Sequence, residues 1–397
     1  MNMKTMLAAL QGVTAYRDIL TLPVMERAMR LASCVVRGDG LGGLEAYAGL
    51  FYQLWQEGFA GLGGWLGEAL RWSEGPYPRL AERGDRDPVL EQAARLDVAA
   101  FEALAGMDCD QWLAQLGRLL DGDYQEVIAS LPRWRQGAPF SFEELTGAYQ
   151  KEGAGRFARC RAFVWDSGEL IPVARPDCPD ASQLLGYGEQ RAEVERNTRA
   201  LMEGRYVNNV LLYGESGTGK SATVKNLLTL PGMEELRIIE ADKENLGGLP
   251  ALIRTLDGRR QKFIVFIDDL TFDRDDPTYS VLKTILEGGV ERRPQNVAVY
   301  ATSNRRHLVR QTISERAGDE MDRSETIREK TSLADRFGVR VLFQGLNKAE
   351  FLALVDMLAR RHGVELPTEE LHRQAVAWER FHGAQTPRTA LQFILSL

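Results

Sequence analysis

The sequence predicts an α/β domain built on a parallel sheet with helices on both faces, preceded by a mostly helical domain and followed by a helical segment. Three observations predict it. From Gln183 to Gln344, short apolar runs alternate with helical patterns, as strand-helix-strand units require. Before about residue 150, apolar residues recur at helical spacing, and after Gln344 they do so again as far as the closing TALQFILSL.

The elements can be justified in order. Tyr47, Leu50, Phe51, Leu54 and Trp55 follow the i, i+3, i+4, i+7, i+8 rule of an amphipathic helix, a stripe that serves a core better than a ligand. Asp87 caps a helix opening at Pro88, whose face runs through Leu90, Ala94, Phe101 and Leu104 until Gly106 ends it. Asp110 to Leu120 forms a further short helix, and Ser141 with Glu144 makes a capping box for another. The period then changes to two. Arg161 to Trp165 and Glu169 to Val173 flank the turn Asp166-Ser167-Gly168 as a β-hairpin. The proline-rich ARPDCPDAS, residues 174–182, marks the boundary between a domain over 1–175 and an α/β domain over 183–345.

Within that second domain the strand candidates are Val210 to Tyr213, Leu236 to Ala241, Phe263 to Ile267, Val297 to Thr302 and Val339 to Phe343. Helices fill the gaps, near Glu189 to Glu203, Lys220 to Leu230, Leu246 to Leu256 and Tyr279 to Glu287. A helical lid follows over 346–397, with Asn347 and Glu350 as a capping box and Pro367 and Pro387 near two later helix starts.

Composition narrows the classes of function. A net charge of −7 does not mark the whole surface as an electrostatic binder of nucleic acid, although a local basic patch stays open. Arg292-Arg293 and Arg305-Arg306 read as solvated charges. Cys34, Cys109, Cys160 and Cys178 are scattered without a CxxC pair, which suits reduced thiols better than disulfides or zinc. His362, His372 and His382 share no helical face and read as ordinary helix residues. No apolar run approaches the ~18 residues of a membrane span, and the N-terminal run is too short for a signal sequence. The expected location is cytoplasmic.

The chemistry is concentrated in NVLLYGESGTGKSATVK, residues 209–225, a strand, a glycine loop and a helix start. A triphosphate is a dense polyanion. Glycines let successive backbone N–H groups turn towards it, so Gly214, Glu215, Ser216, Gly217, Thr218 and Gly219 read as its cradle. Lys220 can reach the β- and γ-phosphates, and the Ser221 hydroxyl can ligand Mg²⁺. A second apolar strand ends in Asp268-Asp269, where Asp268 can hold the metal through water and Asp269 can polarise an attacking water.

This order of motifs resembles the AAA+ ATPases, which implies a P-loop AAA+ core with a C-terminal helical lid. Val299 to Asn304 looks like their sensor-1 strand, which assigns Asn304 to the γ-phosphate or the lytic water. Ser332 to Gly338, reading SLADRFG, looks like their arginine-finger segment with Arg336 as the finger, and Arg388 matches their sensor-2 arginine. Leu185 to Glu189, including Gly186, resembles the segment near the adenine. More narrowly, GESGTGKS, FIDDL, ATSNRRHL and SLADRFG in this order resemble the bacterial predicted-ATPase family known as domain of unknown function 815.

The resemblance implies an ATPase with ATP and Mg²⁺ as cofactors, a homo-oligomer through a finger supplied in trans, and an unidentified protein or nucleic-acid client that it remodels or loads. Asp269 stands where glutamate is more usual, which implies slow or partner-stimulated hydrolysis. Two alternatives stay open: an ATP-gated binding module with little turnover, and a P-loop kinase. The charged segment 309–331 reads equally as a loop or an inserted helix.

Overall fold

The computed structural model describes residues 2–272, 277–287, 293–304 and 333–397. Arg292, Arg305, Arg306, Ser332 and the segment 309–331 lie outside the described residues. The chain divides into two compact units, Met1–Arg159 and Cys160–Leu397. Among the described residues no helix is long and apolar enough to cross a membrane.

The first unit is built from helices α1 (Met3–Gln11), α2 (Pro23–Arg37), α3 (Gly40–Gln56), α4 (Leu62–Arg71), α5 (Pro76–Glu82), α6 (Pro88–Ala105), α7 (Cys109–Leu119), α8 (Gln125–Ser130), α9 (Phe142–Glu152) and α10 (Arg156–Arg159). Their starts lie where side chains can satisfy unpaired backbone donors. The Asp87 carboxylate accepts from the amides of Val89 and Leu90, and Ser141 and Glu144 complete the expected capping box. Asp108 forms a second capping box with Gln111, which moves the start of α7 to Cys109.

The stripe on α3 is a core stripe for Tyr47, Leu50 and Leu54, all fully buried, while Phe51 is half-buried. Trp55 departs from it. It is 59% exposed, because it sits in the last turn, with Phe51 tilted against its ring at 6.0 Å.

One polar group anchors this core. Asp97 on α6 is only 4% exposed, and its Oδ2 accepts the backbone N–H groups of Thr14, Ala15 and Tyr16 at 3.0, 2.7 and 3.3 Å. Burial pushes its carboxyl above the ordinary range, and the three donors pull it back.

The second unit holds a seven-stranded sheet in the order β2-β1-β4-β5-β6-β3-β7. The strands are β1 (Ala162–Asp166), β2 (Glu169–Val173), β3 (Val210–Gly214), β4 (Leu236–Ala241), β5 (Lys262–Ile267), β6 (Val297–Ser303) and β7 (Val339–Phe343). All neighbours run parallel except β1 and β2. Helices α11 (Gly188–Met202), α12 (Lys220–Asn226), α13 (Leu249–Leu256) and α14 (Pro277–Glu287) lie between strands in the chain, and α15 (Lys348–His362), α16 (Thr368–His382) and α17 (Pro387–Leu395) close it.

Alternate strand residues Leu212, Ile238, Phe266, Ala298 and Val341 join a core with Val194 and Leu201 of α11 and Val224 of α12. The intervening Leu211, Ile239, Val265 and Val299 are fully buried too, so both faces of the sheet are covered. This is the α/β fold with a helical lid that the sequence predicts.

The hairpin departs from expectation. It was read as the end of the helical domain, yet β1 pairs in parallel with β4 through Ala162–Ile238, Phe163–Ile239 and Val164–Glu240, so it extends the sheet. Ala162, Phe163 and Trp165 of β1 are buried, and a hairpin whose two faces are both apolar needs a neighbour along its edge. Arg293 departs as well. Rather than a solvated charge it is half-buried, donating to Val207 O at 2.6 Å and to Asn209 Oδ1, with its guanidinium 5.2 Å over the Tyr206 ring.

The Asp97 anchor is testable. Asp97→Ala removes the acceptor of three N–H groups, two of them buried, and is expected to cost about 3 kcal/mol of unfolding free energy, with Asp97→Asn recovering part by keeping one oxygen. Urea titration followed by tryptophan fluorescence checks it, and a loss below about 1 kcal/mol would count against the anchor.

Candidate active site

Parallel strands present their carboxyl ends on one side of a sheet, and the predicted residues gather there. β3 ends in the glycine loop, β5 in Asp268-Asp269, β6 in Thr302 to Asn304, and β7 in Phe343. The loop needs its glycines for stated reasons. At Gly214 φ is +135°, and a Cβ there would stand 2.0 Å from the Phe343 carbonyl oxygen, which accepts the Glu215 amide at 3.1 Å. At Gly217 φ is +80°, and a Cβ would come within 3.0 Å of Thr386 Oγ1 and 3.1 Å of Arg388 Cβ. The loop therefore runs close under α17, whose Arg388 amide donates to Gly217 O at 3.3 Å.

Lys220 is 6% exposed, so its ammonium must find acceptors. Nζ donates to Gly214 O at 3.0 Å, Glu215 O at 2.6 Å and Asn304 Oδ1 at 3.0 Å. Burial lowers its pKa from the ordinary lysine value, and Asp269 and Asp268 oppose that. The other end of Asn304 donates from Nδ2 to Asp269 Oδ1 at 2.7 Å. Asp269 holds a left-handed backbone, φ +49°, which is rare outside glycine and concentrates at functional sites. Ser221 Oγ donates to Asp268 Oδ1 at 2.6 Å.

These groups border a cleft of about 470 Å³, within the range of small-ligand sites. Of the residues singled out from sequence, Ser216, Gly217, Thr218, Gly219, Lys220, Ser221, Asp268, Asp269, Asn304 and Arg388 line it. Gly214 and Glu215 shape the loop without lining the cleft, offering Lys220 their carbonyls instead. Gly186 does not line it either. It makes a left-handed turn, φ +68°, followed by Tyr187 at φ +53°, and the Tyr187 ring reaches the cleft.

Arg336 is not brought to this cleft. It follows the helical turn at Leu333 to Asp335, about half exposed, with Nη2 2.9 Å from Glu287 Oε1 on α14. The histidines are ordinary, as expected: His372 meets Asp356 at 2.8 Å and His382 stacks on Trp378.

Among the lining residues, sequence reasoning missed Arg191 and Leu391, and it gave no role of their own to Tyr187 and Thr302, which it named only within the adenine and sensor-1 segments. Tyr187 leans on Phe343 with ring centroids 5.1 Å apart and donates to Gln344 O at 2.6 Å, and burial raises its pKa to about 12. Burial likewise lowers the pKa of Arg191. Thr302 carried a readable signal: with Tyr300 and Ser303 it puts a hydroxyl into the strand VAVYATS, and each such group must have a polar partner once buried.

Among the described residues no cluster of three histidine, cysteine or carboxylate side chains could hold a metal by itself. Ser221 and Asp268 are hard oxygen donors side by side, a set that suits Mg²⁺ when a phosphate completes its shell.

Comparison with known proteins places the chain. NLR family member X1 of Rattus norvegicus is 35% identical over 107 residues, covering 22% of this chain and 11% of that protein. Among solved structures, the RuvB Holliday junction branch migration motor of Thermotoga maritima is similar at 17% identity and TM-score 0.36, and a variant of the same motor at 16% and 0.37. Each covers 56% of this chain, which in turn spans 64% of the RuvB chain. The family model described as protein of unknown function (DUF815) matches residues 158–397, the stretch that holds the sheet, the cleft and the last three helices, and the chain belongs to that family.

Proposed function

We propose that this chain is an AAA+ ATPase that binds Mg-ATP in the cleft and hydrolyses it to remodel or load a macromolecular client. One observation carries the reading. Residues from three separate stretches, Lys220 and Ser221, Asp268 and Asp269, and Asn304, are joined by hydrogen bonds around a single cleft beside a glycine loop. A phosphate entering that loop offers Lys220 anionic oxygens in place of neutral carbonyls, a stronger partner for a buried ammonium. Ser221 and Asp268 would hold Mg²⁺, which supplies positive charge to the phosphate oxygens when bound.

The reaction asked of the residues is small. A water attacks the γ-phosphorus in line, the bond to the β–γ bridging oxygen breaks, and the water proton passes towards Asp269. Asn304, already bonded to both Lys220 and Asp269, positions that carboxylate beside the γ-phosphate. Arg388 lines the cleft from the lid and meets phosphate charge from the other side. Arg336 lies outside its own cleft, which fits an arginine offered to the cleft of a neighbouring copy.

A second reading has its own observation. Asp269 is short, and its Oδ1 is already occupied by the Asn304 amide, which favours a binding module gated by ATP with little turnover.

Two experiments separate these. Asp269→Asn is expected to keep ATP binding within threefold while kcat falls by roughly 10²-fold or more, and Lys220→Ala to lose binding itself. Calorimetry with a non-hydrolysable analogue and phosphate release read the two. Turnover at background in the native chain, with tight ATP binding, would move the conclusion to the gated module. For the finger, Arg336→Ala and Lys220→Ala subunits, each inactive alone, are expected to recover ATPase activity when mixed. Co-assembled mixtures that stay inactive would remove the trans arrangement.

A further inference from the structure

We infer that Thr302 is the positioning residue of this site: its one hydroxyl sets the orientation of both acids, Asp268 and Asp269. The inference rests on the Mg-ATP reading and assigns a role that no motif in the sequence carries. Ala301 on β6 pairs with Ile267 on β5, so Thr302 falls beside Asp268, one step past the paired ends of the strands. It is 2% exposed.

A hydroxyl has one proton to give and lone pairs to receive with. Thr302 Oγ1 donates to Asp268 Oδ1 and accepts the Asp269 amide at 2.9 Å. Its carbonyl oxygen accepts the Leu270 amide at 2.7 Å. One residue thereby binds three in succession, through the turn that follows β5.

Two consequences follow for chemistry. Asp268 Oδ1 receives the hydroxyls of Thr302 and Ser221 and the Asp269 amide at 3.2 Å, so these donors converge on one oxygen and fix the orientation of the carboxylate that would hold Mg²⁺ with Ser221. Asp269 sits at φ +49°, a conformation that is strained for a non-glycine residue and persists only where neighbours hold it. The Asp269 amide bond to Thr302 is that hold, and it aims the carboxylate at Asn304, 2.7 Å away. Valine has the shape of threonine without the hydroxyl. In Thr302→Val, Asp268 loses a donor and the Asp269 amide loses the shorter of its two acceptors, keeping only Asp268 Oδ1 at 3.2 Å, with the strand packing kept.

The test uses the full chain. Thr302→Val is expected to raise the Mg²⁺ concentration for half-maximal binding of a fluorescent ATP analogue by about 10-fold, and to lower kcat by about 30-fold with KM for ATP within threefold. Thr302→Ser keeps the hydroxyl and is expected to restore both. Should the valine variant fail to fold, Thr302→Cys, with a weak donor and acceptor of similar size, is expected to shift both quantities in the same direction. Variants whose Mg²⁺ dependence and kcat stay within twofold of the native chain, or a serine variant as impaired as valine, would overturn the role of Thr302. A native chain that binds no Mg-ATP would instead overturn the reading of the cleft itself.

Discussion

A buried ammonium is the interaction on which the site depends. Lys220 has almost no access to water, and a charge in that position is tolerable only where oxygen acceptors surround it. Its acceptors come from the turn of its own loop and from the end of β6. The lysine thus ties the glycine loop to a strand 84 residues away, and through Asn304 to the acid following β5. These contacts hold the glycine loop, the end of β6 and the acid after β5 in one arrangement.

The loop is bound equally closely to the lid. Gly217 O accepts the Arg388 amide, and the Glu215 amide reaches Phe343 O at the end of β7, from which the chain runs into α15. Leu346 donates to Gln385 O, closing the two ends of the lid against each other. The lid has its own core of Phe351, Val355, Leu358, Leu371, Ala375 and Phe393, and the Arg388 amide ties that core to the loop. A Cβ at Gly214 would push the loop away from Phe343 at the end of β7, and one at Gly217 would push it away from Thr386 and Arg388 of the lid.

The first unit contributes a separate core, with aromatic rings packed in close pairs such as Tyr47 on Trp134 at 4.8 Å and Tyr77 near Phe142 at 5.1 Å. One of its buried carboxylates, Asp97, acts on structure through three backbone amides. That is a different use of a buried charge from the one at Lys220. There the partners include a side-chain amide, that of Asn304, which also lines the cleft.

Much of the molecule was legible along the chain. Helix and strand periods, the capping boxes at Ser141 and Asn347, and the loop from Gly214 to Gly219 are local properties, set by residues within a turn or two of each other. Sequence therefore determined the strands to within a residue or so, the lid helices and the phosphate-type loop. Tertiary structure decided what depends on distant neighbours. It placed β1 beside β4, because a hairpin with two apolar faces finds cover only at a sheet edge. It buried Arg293 against Asn209 and Val207, and left Trp55 in water. It also set Thr302 against Asp268 and Asp269, since which strand ends meet follows from sheet order and register, and no local pattern encodes those.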